Sequence, residues 1–220
     1  MTTSDIAKSA TPPTKWKKIL FSLALGGVSG FLGALAFLKL GMTGDFGMLG
    51  PSEEIAALVG LVYALTGGAI GIGLIMPKAG ATYLNVEDAE ELTEQRSMLA
   101  SSALAMLALG IALIVVALAE PVGTIPPGVV VPIVSAAVLL ATGLGMMSHR
   151  RQDELMRAMG RESAALAFYL LALVGGIWAL SGHLEYTAPP APLDWLTMIW
   201  GLMLLAAFIV VGKRGMMKMR

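Results

Sequence analysis

Residues 148–168, SHRRQDELMRAMGRESAALAF, decide how the chain is read. Arg150, Arg151, Arg157 and Arg161 lead into an apolar run with no proline between them, which describes a charged helix start continuing into a hydrophobic helix. Apolar hairpins lie on both sides of this joint. A cluster of arginines in a short connection between apolar spans marks the cytoplasmic side of a membrane, so this one joint orients the segments around it.

Composition supports the same class. The 220 residues are 56% hydrophobic and 14% charged, against about 25% charged in soluble domains. With a mean hydropathy of +0.78, the chain belongs in a bilayer. Its formal net charge is zero, which points to no nucleic-acid partner. It has no cysteine, which excludes disulfides, thiolate nucleophiles and cysteine-ligated clusters.

Six apolar runs have about the 17–25 residues that a membrane helix requires: 19–38, 55–76, 98–119, 129–147, 163–181 and 195–212. Ala34-Leu35-Ala36 has the form of a signal-peptidase site, but the first run continues past it and is read as a span. The joints alternate in character. Those at 41–54, 120–128 and 182–194 contain no Lys or Arg and are rich in Gly or Pro, whereas fourteen of the fifteen Lys and Arg fall on the opposite side, Lys39 being the exception. The expected fold is therefore an all-α integral membrane protein of six helices in three hairpins, with both termini in the cytoplasm of a bacterial cell and the protein in its inner membrane. The divisions are a basic tail at 1–18, a first hairpin at 19–76, a second at 86–147, a third at 150–212 and a basic end at 213–220.

Two cytoplasmic segments should carry helix of their own. Asn85 is a plausible N-cap, and the acids after it suit a helix N-terminus, so the third helix is expected to start near Val86. Asp153 and Glu154 begin a matching extension of the fifth. An acidic segment then lies beside a basic one, and Glu90, Glu91 or Glu94 is expected to face Arg157 or Arg161. The units 86–147 and 150–212 have similar length and direction, which suggests a parallel repeat, although little beyond Glu91-Leu92 and Glu154-Leu155 aligns.

The third hairpin is similar to a known group. Asp153, Glu154, Leu155, Arg157, Glu162, Ala165, Ala167 and Phe168, followed by an apolar hairpin with Leu193-Asp194-Trp195 at its turn, resemble a group of small uncharacterised bacterial two-span membrane proteins. Ala158 stands where that group usually has a second arginine. The resemblance covers residues 150–214 and implies a two-helix unit without implying an activity.

Chemistry is sparse along the spans. Their central portions contain no Asp, Glu, Lys, Arg or His, and their polar groups are hydroxyls, which normally bond to a carbonyl one turn back. An ion-coupled carrier requires an ionisable group at that depth. His183, Glu185 and Asp194 share the outer side but lack the spacing of a metal site, so no catalytic, cofactor or metal residue is assigned. The glycine runs GGVSGFLG (26–33) and GGAIGIG (67–73) lie inside spans and imitate nucleotide fingerprints without a preceding strand.

Small residues four apart instead suggest close helix contact. Gly26, Gly30 and Gly33 mark it in the first span, Gly67, Gly68, Gly71 and Gly73 in the second, Gly145 in the fourth and Gly176 in the fifth. The reading that follows is a non-catalytic accessory or scaffold subunit, surrounded by lipid and packed against another membrane protein or its own copies. The alternative is a small passive channel or carrier for a neutral or lipid-like solute, lined by hydroxyls and glycines of the first three spans.

Overall fold

The computed structural model describes residues 49–75, 95–150 and 152–214, together with the single helical positions 30, 35 and 39. The described residues form five long helices: α1 (Pro51–Ile75), α2 (Arg96–Ala117), α3 (Pro127–His149), α4 (Glu154–His183) and α5 (Pro192–Lys213). Each is long and apolar enough to cross a membrane, with mean hydropathies of 2.0 to 2.5. No strand occurs among the described residues. The expected first span, 19–38, lies outside them apart from Gly30 and Leu35, so five spans are seen where six were expected. Gly26, Gly33, Glu90, Glu91 and Glu94 also lie outside the described residues.

The helix ends follow local chemistry. α1, α3 and α5 each start with a proline in the first turn, where its missing N–H costs nothing and its fixed φ suits the helix. α4 is capped by Asp153, whose Oδ1 accepts the Met156 amide at 2.7 Å. From that cap α4 runs for 30 residues, about 45 Å at 1.5 Å per residue. This is longer than the roughly 30 Å hydrocarbon layer, so the charged turn at 154–162 continues directly into the apolar span.

α2 begins at Arg96, and Val86, where its start was expected, lies outside the described residues. Gln95 occupies its N-cap, and the Gln95 carbonyl accepts the first amides, from Met98 and Leu99, at 3.0 Å each.

α1 packs on α2 and on α5, α2 packs on α3, and α4 packs on α5, which gives a row in the order α3, α2, α1, α5, α4. α1 and α2 are antiparallel, since Gly60 lies against Gly110 and Gly67 against Ala103. α1 and α5 are parallel, with Ala56 and Ala57 near Leu193 and Leu196, and Tyr63 near Trp200. These directions gather Arg96, Arg150, Arg161, Lys213 and Arg214 at one end of the row and the proline-rich turns at the other. Among the described residues α2 sits inside the row against α1 and α3, and α4 packs on α5.

The turn between α2 and α3 is closed by its own backbone. Ile125 donates to Leu118 O at 3.0 Å, Glu120 to Ile125 O at 2.9 Å and Gly123 to Ala119 O at 2.8 Å. A side chain at Gly123 would run directly into the Leu118 carbonyl. Gly123→Ala is therefore expected to open this turn and to lower stability by about 1–3 kcal/mol, the usual range for overpacking. Detergent unfolding curves for that variant beside Thr124→Ala, an exposed neighbour, would test it. Equal midpoints would show that the turn yields freely.

Candidate functional site

Among the described residues the most built region is the seam between α1 and α2. A Cβ placed on Gly60 would sit 2.8 Å from the Gly110 carbonyl, and one on Gly110 would sit 2.6 Å from the Gly60 carbonyl. Each glycine thus leaves room for the other helix's backbone. Two turns further along, a Cβ on Gly67 would meet the Ala103 carbonyl at 2.7 Å. Gly60 and Gly67 are seven residues apart, as are Ala103, Gly110 and Ala117. A seven-residue period keeps small residues on one seam between left-handed helix pairs. Ala56, Ala57, Leu113 and Ala117, all fully buried, continue the seam to the proline-rich end.

Of the other glycines nominated from four-residue spacing, Gly73 is buried. Gly30, Gly68, Gly71, Gly145 and Gly176 have nothing within 4 Å of where a Cβ would be. Gly60, Gly110 and Gly175, which also sit in close contact with a neighbouring helix, were missed. The signal was present at seven-residue spacing for the first two. Gly175 receives the Trp195 ring, with Cζ3 at 2.7 Å from a built Cβ, and sequence gave no sign of which aromatic would fill it.

Three hydroxyl groups inside the spans bond to a carbonyl one turn back, whereas the buried Ser148 hydroxyl on α3 has no partner among the described residues. Thr66 donates to Val62 O at 2.7 Å, Ser101 to Ser97 O at 2.9 Å and Thr197 to Leu193 O at 2.8 Å. Tyr63 is the exception in reach: its hydroxyl donates across to the Trp200 carbonyl at 2.8 Å. The two rings lie 6.3 Å apart and tilted by 52°, within the range for aromatic pairs.

At the proline-rich end, the three outer-side groups do not converge on a ligand. Asp194 is buried, and its Oδ2 accepts the Ala191 amide at 2.7 Å, which fixes the start of α5. Trp178 donates its indole N–H to Ala188 O at 2.9 Å and so ties the turn to α4. Pro189 packs on Gly182, where an added Cβ would meet its Cα at 2.6 Å.

At the charged end, Arg157 donates from Nε to the Gln152 carbonyl at 3.0 Å, and Arg161 is exposed. The ion pair described there is Arg214 with Glu162, which joins α5 to α4 with Nη2 at 2.7 Å and Nε at 3.2 Å from the same oxygen. Both side chains are more than a third exposed, so water screens the pair and it is worth about 0–1 kcal/mol. Glu162→Gln is accordingly expected to move the unfolding midpoint slightly at low salt and not at all in about 1 M salt, where the Debye length is ~3 Å. A large, salt-insensitive loss would mean that Glu162 does more than pair with Arg214.

No family model, curated protein or solved structure matches the chain. Its chemistry has to be read from its own residues.

Proposed function

We propose that this protein is a non-catalytic, multi-pass protein of the bacterial inner membrane. It acts as an accessory or scaffold subunit that packs laterally against another membrane protein or a second copy of itself. The observation that carries this reading is the condition of the two edge helices. In the most apolar eighteen-residue stretch of α4 only 6% is buried, and in α3 only 11%, against 28% in α1. The exposed residues are large: Leu139, Leu140 and Met147 on α3, and Phe168, Tyr169, Leu173 and Ile177 on α4. Lipid alone can cover such faces. Among the described residues α3 and α4 end the row, which also suits insertion beside other spans, since packing in a bilayer depends on surface fit rather than on hydrophobic drive.

Cationic residues collected at one end support cytoplasmic placement of that end, with the first span at 19–38 and both termini inside. The resemblance of residues 150–214 to two-span proteins fits the pairing of α4 with α5. The channel alternative has less support, because Gly60, Gly67 and Gly110 fit α1 closely against α2 and the hydroxyls of Thr66 and Ser101 bond to their own helices.

Absence of cysteine gives a clean background for the test. Single cysteines at Leu139 and Phe168 in native membranes are expected to cross-link to a neighbouring chain or to be protected from a lipid-soluble maleimide. The purified protein is expected to run with a partner or as an oligomer of the 22.9 kDa chain. Full labelling at both positions and a monomeric mass in lipid nanodiscs would remove the scaffold reading. Arg157→Cys and Thr124→Cys should label from opposite compartments, which tests orientation separately.

A further inference from the structure

On α3, Thr142, Gly145, Met146, His149 and Arg150 recur at the three- and four-residue spacing that places side chains along one face of a helix. All five are exposed. A shallow, open depression of about 550 Å³ follows that face and is lined, among the described residues, by these five. Its volume falls in the roughly 300–1,000 Å³ range of small-molecule sites, yet such sites normally enclose most of their ligand. Among the described residues this one is open along its length. Its occupant must therefore have a second side that is already at home in the bilayer.

The lining is graded. Gly145 leaves the floor low, with nothing within 4 Å of a built Cβ, and Met146 and Thr142 extend an uncharged surface toward the middle of the span. The mouth is polar and cationic: Arg150 stands at the end of α3, and His149 is held by one ring nitrogen, Nδ1 lying 3.2 Å from Gln152 Oε1. The nearest carboxylate in sequence, Asp153, is committed to capping α4.

From this grading we infer that α3 carries a site for an anionic phospholipid, with an acyl chain laid along Thr142, Gly145 and Met146 and the phosphate at His149 and Arg150. Charge complementarity selects the headgroup, since each Lys or Arg near an anionic lipid surface contributes about 1 kcal/mol. The uncharged floor selects a chain-bearing ligand over a free phosphate. The assignment rests on the reading that these helices cross a bilayer.

The test uses the full chain in mild detergent and native mass spectrometry with added phosphatidylglycerol, phosphatidylcholine or glycerol phosphate. Phosphatidylglycerol is expected to remain bound at one equivalent, and phosphatidylcholine and glycerol phosphate to dissociate. R150Q is expected to weaken retention about fivefold, and G145L, which fills the floor, to weaken it at least as much. R161Q, a cation on α4 that does not line the depression, should leave it unchanged. Equal retention of the two phospholipids, or wild-type retention in both R150Q and G145L, would overturn the site. Retention of glycerol phosphate as strong as that of the lipid would make it a phosphate site and overturn the lipid assignment. A chain that stays in solution without detergent would instead undo the membrane-spanning reading.

Discussion

Replacing Gly60 by leucine is expected to abolish the pairing of α1 with α2, and Gly110→Leu to do the same, while Gly68→Leu and Gly71→Leu leave it intact. At Gly60 the first added carbon would already stand 2.8 Å from the Gly110 carbonyl and 2.9 Å from the Ile114 side chain; at Gly110 it would stand 2.6 Å from one backbone atom and 2.7 Å from another. Backbone cannot swing aside as a side chain does, so the helices must separate. An alanine at either position carries the about 1–3 kcal/mol typical of overpacking, and leucine exceeds it. In a bilayer nothing opposes that separation once close packing is lost, because lipid offers no hydrophobic drive to push the helices together again. Intrinsic helix propensity runs the other way, favouring leucine over glycine by somewhat under about 1 kcal/mol. The Gly68 and Gly71 variants receive that same benefit without the clash, which makes them the proper reference. Unfolding midpoints in mixed micelles would decide it. A Gly60→Leu protein as stable as Gly68→Leu would mean that α1 and α2 do not meet at this seam.

The same seam shows what could be read in advance and what could not. Span positions follow from long apolar runs, a signal that depends on composition over about twenty residues, and four of the five observed helices bracket their expected runs within a few residues at most ends. α4 is longer because Asp153 is a true N-cap, and this was legible from Asp153-Glu154. Which glycines touch is a different kind of information. Four-residue spacing marks a stripe on one helix, but whether another helix lies over that stripe depends on neighbours elsewhere in the chain. Gly68 and Gly71 satisfy the local rule and face open space, whereas Gly60 and Gly110 satisfy each other. Their shared seven-residue period with Gly67 and Ala103 could have been found in sequence. The pairing of Glu162 with Arg214, 52 residues apart, could not. It requires knowing that α4 and α5 are neighbours and how far each extends beyond the apolar layer.

Tyr63→Ala is expected to detach the α4–α5 pair from the other three helices. Contact between α1 and α5 consists of small and aliphatic surfaces, Ala56, Ala57 and Val59 against Leu193 and Leu196, with Tyr63 and Trp200 supplying the directional part. Tyr63→Phe keeps the ring and removes the bond to the Trp200 carbonyl, a loss of about 0.6 kcal/mol on average for such bonds in membranes and up to about 1.7. Tyr63→Ala removes the ring as well, for which aromatic truncations cost about 3–5 kcal/mol in water-soluble cores. An acyl chain can enter part of the vacated space, so the lower end of that range applies. Val59 and Gly201 report the contact directly, because a Cβ on Gly201 would lie 3.8 Å from a Val59 methyl. With cysteines at these two positions in an otherwise cysteine-free chain, oxidation should cross-link α1 to α5 efficiently with Tyr63 present. Phenylalanine should reduce the yield modestly and alanine several-fold, while α1 and α2 remain paired through their glycines. Undiminished cross-linking in the Tyr63→Ala protein would show that the aliphatic surfaces alone hold the two groups of helices together.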